Sequence, residues 1–178
     1  AVKFHYQFNL RDLSNVFQGI CRCVPEYYTA ASQVIRLWLH ECNRVYSDRL
    51  VTEMDLNQFQ DIIVDVSKKY FEDQDQDALH AAPLIFTSFT TPPSGEDIIY
   101  NACSDMERLR KILNEKLDEY NETNARMDLV LFDTAIYHIC RISRIIDTPR
   151  GNALLVGVGG SGKQSLARLA AYISDFGV

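Results

Sequence analysis

The chain has 178 residues, 47% hydrophobic and 24% charged, with a formal net charge of −6. That apolar content supports one domain or two small ones with real cores. The acidic balance argues against a nucleic-acid binder, which shows a basic stripe, and no apolar run approaches the roughly 20 residues that span a bilayer, so neither nucleic acid nor membrane is expected as a partner.

The first residues, Ala1-Val2-Lys3-Phe4-His5, carry no signal-peptide pattern and no initiator methionine, which reads as an internal segment of a longer protein. Phe4-His5-Tyr6-Gln7-Phe8 reads as an extended lead-in. Asn9 then opens a helix, with Asp12 three residues on as its reciprocal capping partner. Leu10, Leu13, Val16, Phe17 and Ile20 repeat at helical spacing, and Pro25 closes the region. The five cysteines, Cys21, Cys23, Cys42, Cys103 and Cys140, are odd in number and form no disulfide framework. Cys21 and Cys23 supply only half a zinc site, with no second pair at a finger-like distance, so free thiols in a reducing compartment are expected.

A second helix is predicted from Thr29 or Ser32 to Arg49, with Ile35, Trp38, Leu39, Cys42, Val45 and Tyr46 as its apolar stripe and Arg36, Glu41, Arg44, Asp48 and Arg49 on its other faces. A third starts near Asp55, a good N-cap, and buries Leu56, Phe59, Ile62, Ile63, Val66 and Tyr70. Asp73, Asp75 and Asp77 imitate the opening of a calcium loop, but Ala78 stands where glycine is needed and Leu84 where the distal glutamate belongs, so a solvated acidic turn is expected. Residues 83–90 read as extended, and Thr91-Pro92-Pro93-Ser94-Gly95 is the strongest linker signal. Two domains follow from it, residues 1–90 and 91–178.

Beyond the linker, Ser104 caps a helix marked by Met106, Leu109, Leu113, Leu117 and Tyr120, and residues 120–124 break its pattern. The next helix is predicted from Asp128 or Leu129 through Ile146, and Pro149-Arg150-Gly151 ends it. Asn152-Ala153-Leu154-Leu155-Val156 then reads as a short buried strand and residues 165–173 as a helix. Between them lies Gly157, Val158, Gly159, Gly160, Ser161, Gly162, Lys163, a G-x-x-x-x-G-K loop in the strand–loop–helix context that makes it a phosphate cradle. Glycines let consecutive backbone N–H groups turn toward phosphate oxygens, the helix N-terminus adds a favourable dipole, and Lys163 reaches the terminal phosphates. The hydroxyl that ligates Mg²⁺ in such loops is replaced by Gln164, and Ser165, rotated by about 100° on the helix, cannot take its place. ATP or ADP is the expected ligand, with the Mg²⁺ ligand set incomplete. No acidic Walker B strand follows, so catalysis by these residues alone is not expected.

Residues 149–166 closely resemble the P-loop of the fourth AAA+ module of axonemal dynein heavy chains, whose lysine-glutamine-serine ending is typical. Residues 8–14, Arg36-Leu37-Trp38-Leu39-His40-Glu41, Arg44-Val45-Tyr46 and Asp48-Arg49-Leu50 resemble the helical lid of the third module, and residues 120–133 the approach to the fourth. The resemblance implies a mainly α fold with minor β: an AAA+ lid, then the first helices, first strand and P-loop of an incomplete α/β AAA+ domain. It implies an ATP-driven microtubule motor of the cytoplasm and cytoskeleton, in the axoneme of a cilium or flagellum. Its partners would be the rest of the heavy-chain ring, microtubules, and the light and intermediate chains. The P-loop site would be regulatory rather than the main hydrolysis site. A structural ring-linking module with a vestigial loop and a stand-alone P-loop NTPase are the competing readings. Arg11 stands where related lids carry the sensor-II arginine, with Arg36 as its competitor, while Arg44 and Arg49 are expected to make lid ion pairs. Leu129, Val130 and Leu131 are where the resemblance places the adenine.

Overall fold

The computed structural model describes Lys3, residues 6–92 and residues 98–176. Part of the extended lead-in, and Pro93, Ser94 and Gly95 of the Thr91-Pro92-Pro93-Ser94-Gly95 linker, lie outside them. The chain forms two compact units, Ala1–Leu84 and Ile85–Val178. The division falls before the proline-rich stretch, because strand β1 (Phe86–Thr87) pairs antiparallel with β2 (Asn101–Ala102) and is thereby drawn into the second unit.

The first unit is helical: α1 (Leu10–Ile20), α2 (Ala31–Val45), α3 (Glu53–Tyr70) and the short α4 (Gln76–His80). The Asn9–Asp12 capping box forms, with Asn9 Oδ1 accepting from Arg11 N–H at 2.8 Å and Asp12 accepting from Asn9 N–H at 2.9 Å. Two orphan donors are thereby satisfied. The core gathers Val16, Ile35, Leu39, Cys42, Val45, Ile63 and Leu79, with Trp38 set edge-on against Phe71. Burial and the nearby Glu41 push the Cys42 thiol up to about 12, an inert packing role.

Three expectations for this unit are corrected. Leu10, Leu13 and Phe17 are exposed, because α1 meets α2 through Val16 and Gly19 instead. The third helix is capped by Thr52 rather than Asp55, and it buries only Ile63 and Ser67 fully; Leu56, Ile62 and Tyr70 are exposed, since one narrow stripe touches the core. Glu41 is fully buried on the helix face turned toward Gly19. In the acidic turn, Asp75 caps α4, its carboxylate accepting from the N–H groups of Asp77 and Ala78.

The second unit packs α5 (Met106–Thr123), α6 (Asp133–Ile146) and α7 (Lys163–Ile173) around Leu109, Leu113, Ile136, Ile139 and Leu169. The cap of α5 is Asp105, not Ser104, and the helix runs through Thr123. The start of α6 is Asp133, later than the apolar pattern indicates, because α5 side chains hold the preceding residues out of helical form. Among the described residues no helix is long and apolar enough to cross a membrane.

Candidate functional site

The glycine loop is positioned by its flanks. Leu166, Leu169 and Ala170 bury one face of α7, and Tyr172 meets Tyr120 of α5 edge-on at 5.3 Å. At the other end α6 closes with a tight turn in which Gly151 N–H donates to Thr148 O at 2.8 Å. A Cβ on Gly151 would sit 1.7 Å from Ile145 O, so only glycine fits.

The segment between turn and loop is not a buried strand. Ala153 and Leu155 are half-buried, while Leu154 and Val156 are 89% and 87% exposed. The alternation is that of a strand with one face on the helices. No partner strand lies beside it among the described residues, so no ladder forms.

Gly160 and Gly162 take left-handed backbone, with φ of 74° and 76°, and reverse the chain into α7. Gly162 is the N-cap, and Leu166 N–H donates to its carbonyl at 2.9 Å. The first-turn N–H groups of α7 have no intrahelical acceptor and carry the positive end of the helix dipole. Lys163 folds back over the loop: its Nζ donates to Gly157 O at 2.9 Å, Val158 O at 2.6 Å and Ser161 Oγ at 3.1 Å. A Cβ on Gly157 would come within 3.6 Å of Lys163 Nζ and 3.4 Å of Ser161 Oγ, whereas Gly159, Gly160 and Gly162 face open space. An ammonium, a helix N-terminus and an open glycine turn fit a polyphosphate anion.

The fit to Mg²⁺ is poorer. Gln164 is exposed and offers an amide where a hydroxyl is needed, and Ser165 faces elsewhere. Ser165 lines a cavity of about 250 Å³ with Tyr120, Ala125, Arg126, Met127, Asp128 and Arg168. This cavity was not foreseen from the residues. Leu131 is a core residue and Val130 is 78% exposed, so neither lines it.

In the first unit, Arg11 is exposed at the first turn of α1, and its guanidinium makes no hydrogen bond among the described residues. Arg36 is committed elsewhere. It donates to the carbonyls of Ala78 (2.7 Å), Leu79 (3.0 Å), Ala81 (3.0 Å) and Pro83 (3.2 Å), tying α2 to the end of α4. Arg44 pairs with Asp48 at 3.2 Å and Arg49 with Asp12, as expected of lid arginines.

A glycine turn that enters a helix N-terminus, following a helical unit in sequence, is the layout of a P-loop protein. Residues 1–81 match the AAA+ lid domain family, and residues 127–178 match the family described as the P-loop containing dynein motor region D4. The flagellar outer-arm dynein beta chain of Chlamydomonas reinhardtii is 56% identical over 181 residues, covering 100% of this chain. The ciliary dynein beta chain of Tripneustes gratilla is 54% identical over 178 residues, again covering 100%. Dynein axonemal heavy chain 11 of Sus scrofa is 54% identical over 173 residues, covering 97%. The chain therefore belongs to the axonemal dynein heavy chain family. It spans about 4% of the length of these relatives.

Proposed function

We propose that the chain supplies the lid of the third AAA+ module and the phosphate loop of the fourth to an ATP-driven microtubule motor of the ciliary or flagellar axoneme. The rest of the heavy-chain ring is its immediate partner, and microtubules and the smaller dynein chains engage the whole protein. The loop from Gly157 to Ser165 holds ATP or ADP, and its task is regulatory. The observation that carries this reading is the Lys163 ammonium gathered over the glycine turn by Gly157 O, Val158 O and Ser161 Oγ.

On binding, the terminal phosphates take the Lys163 charge and the first-turn N–H groups of α7, while Gly160 and Gly162 keep the turn open. The nucleoside extends along α7 toward Ser165 and the 250 Å³ cavity. Gln164 leaves Mg²⁺ without its usual hydroxyl, which favours holding a nucleotide over cleaving it. Arg11, exposed and uncommitted, is the lid's sensor for the third module's nucleotide; Arg36, spent on four carbonyls, is not.

Calorimetric titration of the 178-residue chain with ATP and ADP, with and without Mg²⁺, tests the reading. Saturable binding abolished by Lys163→Ala is the expected result, with phosphate release no faster than in that variant. Absence of heat at millimolar nucleotide would mean that the loop is vestigial.

A further inference from the structure

The wall of the cavity beside α7 is held by a residue that does not line it. Asn121, on the last turn of α5, is half-buried, and its carboxamide pairs with both backbone groups of Met127. Met127 N–H donates to Asn121 Oδ1 at 2.8 Å, and Asn121 Nδ2 donates to Met127 O at 3.2 Å. This is the pairing that a neighbouring strand would give, supplied by one side chain. Arg110, three turns earlier on α5, fastens the far end of the same segment through Leu131 O and the Asp133 carboxylate, both at 2.6 Å. Residues 127–133 are thus pinned at two points to one helix. Met127 and Asp128 of this segment line the cavity together with Ser165 and Arg168 of α7.

We propose that Asn121 is a positioning residue that sets the nucleoside part of the affinity at this site, by fixing Met127 and Asp128 against α7. The inference rests on the nucleotide reading above. Asn121 acts through Met127 and does not reach the phosphate loop, so its contribution separates from that of Lys163. Only a carboxamide supplies the donor and the acceptor together: aspartate keeps the acceptor and sets a negative charge beside the Met127 carbonyl, and alanine keeps neither.

The experiment compares ATP with inorganic tripolyphosphate, which has the phosphates and no nucleoside, by calorimetry on the 178-residue chain. Native chain binds both, ATP more tightly. Asn121→Ala weakens ATP about tenfold, the cost of ordering the Met127–Asp128 backbone on binding once the two bonds that preorganise it are gone, and leaves tripolyphosphate within about twofold of native. Asn121→Asp falls between, and it carries the test if the alanine variant has lost its helical circular dichroism. Asn124→Ala, which removes bonds to Tyr120 O and Thr123 Oγ1 and none to Met127, matches native. The proposal is overturned if Asn121→Ala and Asn121→Asp leave ATP binding unchanged, or weaken both probes equally. It is also overturned, with the phosphate reading intact, if native chain binds tripolyphosphate as tightly as ATP. Failure of native chain to bind tripolyphosphate at all overturns the phosphate reading itself, and the proposal with it.

Discussion

Gly19 and Glu41 face each other where α1 crosses α2: a Cβ on Gly19 would lie 1.9 Å from Glu41 Oε2 and 2.7 Å from its Cγ. Glu41 is 0% exposed, so its side chain sits in a close-packed interior and an added methyl displaces packed atoms. Gly19→Ala therefore overpacks the first unit and destabilises it by about 1–3 kcal/mol. Chemical denaturation followed by circular dichroism measures the loss. Combining Gly19→Ala with Glu41→Ala costs less than the sum of the two, because the new methyl enters space the glutamate has left. Strict additivity would show that the two residues do not share that space.

Asp55 gives the first unit an acid-sensitive tie. The hydrogen bond from Lys3, and then those from Thr52 and Tyr6, hold its carboxyl at about 2, down from 3.8. Tyr6 Oη donates at 2.8 Å. A carboxyl depressed in the folded state contributes stability that is complete above 3.8 and is lost as pH falls toward 2. Asp12 works in the same direction: burial pushes it up, but the hydrogen bonds from Arg49 and Asn9 N–H outweigh burial and hold it below its ordinary value. Denaturation midpoints should fall through this window in the native chain, and Asp55→Asn should flatten part of the fall. An unchanged slope would remove Asp55 from the account.

Arg36 is a structural residue by geometry. Its four carbonyl acceptors lie on the last turn of α4 and the chain just beyond it, and burial lowers its pKa. Arg36→Ala should destabilise the first unit by about 2 kcal/mol, since bonds to a charged donor are lost and carbonyls are left to water. Arg36→Lys recovers little, because an ammonium cannot span the acceptors that a guanidinium fork reaches. Nucleotide affinity at Lys163 is unchanged in both variants. A variant with native stability would free Arg36 for the sensing role assigned to Arg11.

What the sequence discloses here is local, and what it hides is long-range. The Asn9–Asp12 box, the stripe of α2 and the glycine turn are each specified by residues within a few positions of one another. Helical spacing groups Leu10, Leu13 and Phe17 with Val16 in one apolar series, yet Leu10 is 83% exposed, because burial depends on which face the neighbouring helix takes. The start of α6 was hidden for a similar reason: Asn121 and Arg110 hold residues 127–133 from across the fold. Leu154 and Val156 read as buried because a continuous apolar run is the mark of a strand covered on both faces, and the cover for their face comes from elements distant in the sequence. The cavity at Ser165 was invisible since it needs α5, α7 and the intervening segment at once.

Gly162 begins α7 with φ of 76°, a conformation in which an L side chain is strained. Gly162→Ala should cost about 1–2 kcal/mol in the second unit, whereas Gly159→Ala, whose Cβ meets nothing within 4 Å, should leave stability unchanged. Thermal denaturation of the two variants side by side distinguishes backbone strain from mere loss of glycine. Equal destabilisation would mean that the turn is governed by something other than its left-handed positions.

Gln164 stands first after Lys163 on α7, exposed, where a phosphate loop normally presents a hydroxyl to Mg²⁺. Its carboxamide oxygen stands on a longer arm than a serine or threonine hydroxyl, with more rotamers to lose on coordination and a different reach from the helix. Ser165 cannot substitute, since it lines the cavity on another face of α7. The native chain should therefore bind ATP with little dependence on Mg²⁺. Gln164→Thr restores a short hydroxyl at the right azimuth and should couple the two ligands, tightening ATP by about fivefold or more when Mg²⁺ is added. By reciprocity, ATP should tighten Mg²⁺ binding by the same factor, which a second titration checks. If Mg²⁺ already tightens ATP binding in the native chain as much as in Gln164→Thr, the glutamine is itself a competent ligand, and the case for holding over cleaving falls with it.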